Sequence, residues 1–190
     1  MFYFAFILLS IFFVLFLFAS PRFSPIPYFP TSEKDLSLVV GALSLKNNQV
    51  VYDLGAGGGI VIFEAANVAK KRKLNTQFVA VEINPVLVLI LHLKRLLHSN
   101  KRNINIVWGD MFKIKFKIQK SKVKITSKKS KTITVYVYVS PWMLENMYKK
   151  LKNEFHKFRF VSYFYPLPKG VARPIKTYNG KNKIFIYDIA

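Results

Sequence analysis

The segment Gln49-Val50-Val51-Tyr52-Asp53-Leu54-Gly55-Ala56-Gly57-Gly58-Gly59 constrains this chain more than any other part of it. A short apolar run ends in an acid, and four glycines follow within five residues. That pattern reads as a buried strand, a sharp turn and the start of a helix. Glycine lets the backbone turn tightly and approach a ligand closely. Units of this kind belong to open α/β sheets, which bind ligands at the carboxyl ends of their strands.

The sequence around this unit supplies the rest of such a sheet. Thr31 or Ser32 is placed to cap a helix from about Glu33 to Leu45, with Glu33 and Asp35 in its first turn. Gly59 to about Lys71 has a helical pattern with Lys70, Lys71 and Arg72 at its end. Gln77 to Glu82 is a second strand, and Asn84-Pro85 opens a helix to about His98. Further strands are expected at Asn103 to Val107, Thr132 to Val139 and Phe158 to Phe164, with a helix from Ser140-Pro141 to about His156. Pro174 to Tyr178 and Lys183 to Ile189 flank Asn179-Gly180, a hairpin turn signal. Alternating strands and helices that end in an antiparallel hairpin predict a doubly wound, mostly parallel seven-stranded α/β sheet.

The glycine loop discriminates between cofactors. A dinucleotide site of the form G-x-G-x-x-G would need glycine at position 60, where this chain has Ile60. Asp53, two residues before the first glycine, would repel a pyrophosphate. It suits a cofactor without phosphate that carries a positive amino group and a sulfonium, which is S-adenosylmethionine. Glu82 ends the second strand, where its two oxygens could accept from both ribose hydroxyls. Asp110 follows the third strand and could accept from the adenine amino group, with Met111 and Phe112 covering the ring. The expected cofactor set is therefore Asp53, Gly55, Gly57, Gly59, Glu82, Asn84, Asp110, Met111 and Phe112. The chain has only nine acidic residues, yet three of them end successive strands.

The N-terminus has a different character. Met1 to Ala19 is an apolar run without charge, nearly long enough as a helix to cross a hydrocarbon core of roughly 30 Å. No Lys or Arg precedes Arg22, so the basic start of a cleaved signal peptide is missing. Residues 1–20 are expected to be a retained transmembrane anchor contacting the lipid bilayer. Residues 21–30, with Pro21, Pro25, Pro27 and Pro30, form a stiff connector, and 31–190 form the catalytic domain. All 30 Lys and Arg follow the apolar run, which places the N-terminus outside and the domain in the cytoplasm.

The net charge of +21 points to an anionic partner, although Lys, Asn, Ile, Phe and Tyr are all abundant, as AT-rich codon usage would also produce. Nine lysines fall within residues 113–131, read as a basic insertion that suits anionic lipid or nucleic acid, or else a solvated loop. The absence of cysteine excludes disulfides and thiolate metal sites. His92, His98 and His156 have no metal-ligand spacing, so no metal is expected.

Several segments together carry a family resemblance: Tyr28-Phe29-Pro30-Thr31-Ser32, YDLGAGGG at 52–59, VEINP at 81–85, GD at 109–110, VSPWML at 139–144 and SYFYPLP at 162–168. They resemble class I methyltransferases. More narrowly, they resemble the small membrane-anchored protein-lysine methyltransferases related to those modifying ATP synthase subunit c and the adenine nucleotide translocase. Gly58-Gly59-Ile60 and the lysine-rich insertion depart from that pattern. The resemblance implies methyl transfer from S-adenosylmethionine to a lysine of a membrane-associated protein. It also implies that Tyr28, Phe29 and Thr31 on one side, and Ser140 and Pro141 on the other, wall the acceptor channel. An RNA methyltransferase and a non-catalytic membrane-bound scaffold of the same fold are the competing readings.

Overall fold

The computed structural model describes residues 2–19 (backbone only at 14, 15 and 17–19), 29–116 and 132–190. Seven strands form one sheet: β1 (Gln49–Leu54), β2 (Gln77–Glu82), β3 (Ile104–Trp108), β4 (Thr132–Val137), β5 (Phe158–Tyr163), β6 (Lys176–Asn179) and β7 (Lys183–Ile189). Among the described residues five α-helices accompany them: α1 (Phe2–Ala19), α2 (Leu36–Ala42), α3 (Ile60–Lys71), α4 (Pro85–Leu97) and α5 (Pro141–Glu154). The strand order is β3-β2-β1-β4-β5-β7-β6, and β7 runs antiparallel to both of its neighbours. This is the expected mostly parallel, doubly wound sheet.

Period-two alternation divides the core into two layers. Val51, Phe78, Ala80, Tyr136 and Val161 face one side, where they pack with residues of α2, α3 and α4 such as Val39, Ile62 and Leu91. Val50, Tyr52, Leu54, Val79, Val135 and Phe160 face the other, against Leu144, Met147 and Leu151 of α5. The interior strand β1 is buried at every position, as a strand covered on both faces must be. Asp53 therefore shares the layer of Val51, on the side of α3, and the parallel register sets it beside Ala80 and Tyr136.

The first helix of the domain is shorter than its sequence suggests. A 3-10 turn at Glu33–Asp35 leads into α2, which stops at Ala42. Ser32 stands at the cap position without a side-chain capping bond, and the Thr31 hydroxyl is engaged elsewhere. Asp35 does not serve as an exposed first-turn acid either. It is buried and accepts from Tyr163 Oη at 2.7 Å, Lys181 N at 2.6 Å and Asn182 N at 2.9 Å. The β6–β7 turn is thus clamped to the start of α2, with Gly180 packed so closely on Asp35 that no side chain fits there.

Burial pushes the Asp35 carboxyl up, but the Tyr163 hydroxyl and the Asn182 and Lys181 N–H groups outweigh it and hold it below its ordinary value of 3.8. Its contribution is present above that value and is lost as pH falls through the lowered one. Asp35→Ala leaves one hydroxyl and two backbone N–H groups without their acceptor. It is expected to cost roughly 2–4 kcal/mol, or about 5–12 °C in Tm, by thermal denaturation at pH 7. An unchanged Tm would show that the clamp is dispensable.

A helix, α1, stands where the anchor was expected. It has 18 residues and no charged group, and at about 1.5 Å per residue it is roughly 27 Å long. Among the described residues no helix is long and apolar enough to cross a membrane. The connector at 21–28, which includes Tyr28, and the insertion beyond Phe116 up to residue 131 lie outside the described residues.

Candidate functional site

The carboxyl ends of β1, β2 and β4, with the loop after β3, surround a cavity of about 330 Å³. Its wall includes Asp53, Gly55, Ala56, Gly57 and Gly58 of the loop, Glu82 and Ile83 after β2, Asp110, Met111 and Phe112 after β3, and Tyr136, Tyr138 and Val139 along β4 and beyond it. Phe29, Thr31 and Met143 close the far side.

The glycine loop is built by specific backbone bonds. Gly55 N and Ala56 N both donate to Val81 O at 2.9 Å, and Gly59 N donates to Ala56 O at 2.8 Å. Gly55 has φ +82°, and nothing lies within 4 Å of where its Cβ would be. It therefore turns the chain and leaves that volume open. Lys94 of α4 donates to Gly58 O at 2.7 Å and tethers the loop from outside.

Glu82 is buried and largely committed to the protein. Its Oε2 accepts from Gly57 N at 2.8 Å, and its Oε1 accepts from Ile83 N and Asn84 N, each at 2.8 Å. A carboxylate offers about four acceptor positions, so one remains for a ligand. Glu82 can take one ribose hydroxyl as it stands, and taking both would displace the Gly57 N–H. Asp110 Oδ1 accepts from Phe112 N at 2.8 Å, which folds Met111 and Phe112 over the cavity.

Asp53 has the most perturbed environment of the three acids. It is 3% exposed. Burial, and then the charge of Glu82, push its carboxyl up to about 8. Beside it, Tyr136 Oη and Thr31 Oγ1 share a 2.7 Å hydrogen bond. The Tyr136 phenol is held well above its ordinary value, by burial first and then by neighbours that include Asp53. It stays neutral and polar at the junction between the acidic end of the cavity and Thr31.

Of the residues expected from sequence, the structure gathers Asp53, Gly55, Gly57, Glu82, Asp110, Met111, Phe112, Phe29 and Thr31 around one space. Four others stand outside its wall. Gly59 packs against Leu91 and Phe63. The Asn84 side chain accepts from Val86 N and Leu87 N and so caps α4. Ser140 and Pro141 begin α5, flanked by the wall residues Val139 and Met143. Tyr136, Tyr138 and Met143 are wall residues that the sequence reading missed. The signal for the tyrosines was present in Thr132 to Val139, where Tyr136 and Tyr138 alternate toward the ligand-binding end of a strand.

The cavity fits S-adenosylmethionine. Buried carboxylates face the part that would hold its positive charges. Open space lies over Gly55, and Met111 and Phe112 offer apolar cover for an adenine. Among the described residues no group of acidic or histidine side chains could hold a metal ion. A sheet of order 3-2-1-4-5-7-6 with β7 reversed, and this strand–glycine loop–helix at its centre, define a class I methyltransferase fold.

Comparisons with known proteins agree. The structure is similar to an RNA methyltransferase from Salinibacter ruber solved with S-adenosyl-L-homocysteine, with TM-score 0.67 and 18% identity over 85% of this chain and 94% of that one. It is also similar to the precorrin-6Y C5,15-methyltransferase of Geobacter metallireducens GS-15, with TM-score 0.57 and 16% identity over 88% and 93% of the two chains. A methyltransferase from Geobacter sulfurreducens, bound to the same demethylated cofactor, gives TM-score 0.50 and 13% identity over 80% and 57%. At these identities the likeness is one of fold. No curated protein sequence matches the chain significantly. The family model for PRMT5 arginine-N-methyltransferase matches residues 31–135, just over half of the chain. The chain belongs to that family and is an S-adenosylmethionine-dependent methyltransferase.

Proposed function

We propose that this enzyme methylates lysine side chains of a membrane-associated protein. The observation that carries the reading is the composition of the cavity beyond Asp53. There Phe29, Thr31, Tyr136, Tyr138 and Met143 form an aromatic and apolar wall without a carboxylate of its own. A guanidinium keeps its charge at pKa above about 12 and calls for paired carboxylates. An ammonium loses its proton readily when desolvated. The family match ends at residue 135, so it covers the cofactor half of the domain and stops before Tyr138 and α5.

When bound, S-adenosylmethionine supplies an electrophilic methyl group. The chain's own residues have a limited task, because direct displacement needs no covalent enzyme nucleophile. Phe29 and Tyr138 would align the aliphatic stem and keep water away, so that the lysine Nζ, having given one proton to solvent on entry, stays neutral. Its lone pair then takes the methyl carbon while the electrons of the broken C–S bond stay on sulfur. Tyr136, neutral and fixed by Thr31, is a polar contact beside Asp53 that needs no change of charge.

Two features support a membrane setting. α1 carries no charge, and its described side chains, from Phe2 to Phe13 and at Phe16, are exposed rather than packed in the domain core. A helix that is apolar all round is stable only when buried in protein or lipid. On this reading α1 holds the chain to a lipid surface without crossing it, and the Lys and Arg that follow it attract anionic headgroups.

The test is to incubate the full chain with S-adenosylmethionine carrying a labelled methyl group and a membrane fraction, then locate the label by mass spectrometry. Label on lysine of a membrane protein is expected. Label confined to arginine, RNA or lipid would overturn the assignment, and no transfer to any fraction would favour a scaffold.

A further inference from the structure

The turn that follows β5 holds a bulky side chain in a conformation normally left to glycine. Phe164 has φ +75°. Tyr165 N donates to Tyr163 O at 3.0 Å, closing a three-residue turn around it, a rare and strained form. The turn is pinned from both sides. Phe164 N donates to Lys183 O at 2.8 Å, and Ser162 Oγ donates to Tyr165 O at 2.7 Å. Glycine would relieve the strain, so the presence of phenylalanine calls for a use of the ring.

The ring's position suggests that use. Phe164 remains 41% exposed although it stands among aromatics. Its ring centroid is 4.5 Å from that of Tyr165 and 6.3 Å from that of Tyr138. It lines a surface groove together with Phe29, Thr31, Ile60 and Tyr138, with Glu33 and Lys181 also in its wall. Phe29, Thr31, Ile60 and Tyr138 also line the cofactor cavity, so groove and cavity share walls and lie next to each other. Three aromatic rings suit a long aliphatic stem ending in a cation, while the charges of Glu33 and Lys181 offset each other, so the rings carry the recognition.

We propose that Phe164 is a specificity-determining residue, forming with Phe29 and Tyr138 an aromatic collar that grips the acceptor lysine at the mouth of the channel. The proposal rests on the lysine reading above. The collar would also hold a mono- or dimethylated ammonium, since a ring face attracts a cation whatever number of methyl groups it carries. Successive transfers to one lysine would then be favoured.

The experiment compares wild type, Phe164→Leu, Phe164→Tyr and Phe164→Gly as full chains. Calorimetric titration with S-adenosyl-L-homocysteine should give wild-type affinity in all four. With labelled methyl donor and increasing amounts of membrane fraction, the half-saturating amount for lysine labelling should rise about tenfold in Phe164→Leu and Phe164→Gly, and the trimethylated share should fall. Phe164→Tyr should behave as wild type. Phe164→Gly should melt no lower than wild type, because the positive φ is relieved, and this separates lost recognition from lost folding. Unchanged half-saturation and product pattern in both Leu and Gly variants, with lysine still labelled, would overturn the collar alone. If wild type labels only arginine or RNA, the lysine reading falls and takes the collar with it.

Discussion

Asparagine in place of Asp53 is expected to raise the melting temperature at pH 8 and to weaken cofactor binding about a hundredfold. Both effects come from one environment. Asp53 stands at the end of β1, is flanked by β2 and β4, and lies beside Tyr136 by register. Burial, followed by the charge of Glu82, pushes its carboxyl to about 8 from an ordinary 3.8. Between those values the folded chain holds a proton that the unfolded chain has released. The contribution of Asp53 to stability is therefore full below the ordinary value and declines as pH rises toward about 8.

Asparagine cannot ionise, so the decline should disappear, and the variant should melt about 2–5 °C above wild type at pH 8. The same change removes the negative charge that would face a cationic cofactor, with an expected loss of about a hundredfold in affinity. In the wild type, a cation arriving beside Asp53 favours its ionised form. Binding near pH 7 should release a proton, seen as a dependence of calorimetric heat on the ionisation enthalpy of the buffer. Near-normal affinity in the variant, or a lower Tm at pH 8, would contradict this account.

The second large effect is expected at Gly59, and it concerns folding rather than ligand contact. Gly59 has φ +79°, and a Cβ there would lie 2.5 Å from Leu91 Cδ2 and 2.6 Å from Phe63 Cε2. Leu91 is fully buried and Phe63 nearly so, so neither can swing aside into solvent. Gly59→Ala combines an unfavourable backbone conformation with overpacking between α3 and α4. A loss of roughly 2–4 kcal/mol is expected, about 5–15 °C in Tm. Cofactor affinity should fall as well, because Gly59 N and Gly59 O fix the turn through Ala56 and Phe63. Gly55→Ala is the useful contrast. Its φ is equally unfavourable, but its Cβ would meet open space, so stability should suffer less than at Gly59. Denaturation curves of the two variants side by side decide the matter, and equal losses would show that packing against α4 is unimportant.

These contrasts mark the limits of what local sequence carried. β1 and β2 occupy the expected residues, because a buried strand bounded by polar residues and glycine is a local pattern. The three acids stand at one sheet edge because parallel strands joined by helices must end together there. The roles of Gly59 and Asn84 were not legible in the same way. Glycine serves equally to admit a ligand or to let two helices approach, and asparagine serves equally to bind a ligand or to cap a helix. The neighbours that choose between these uses, Leu91 for one and the start of α4 for the other, are fixed only by packing.

By itself the sequence determined an α/β sheet with a glycine loop that excludes phosphate, and hence a cofactor of the S-adenosylmethionine type. It also determined an uncharged apolar segment set apart from a strongly basic body. Tertiary structure alone decided that Asp35 clamps a hairpin more than a hundred residues away instead of flanking a helix start. It also decided that Thr31 holds Tyr136 beside Asp53, and that Phe164 reaches the wall shared with Phe29 and Tyr138. The physical reason is the range of the interactions. Propensity and alternation act over a few residues and are written along the chain. Hydrogen bonds and ring contacts between distant segments exist only once the sheet register has brought those segments together.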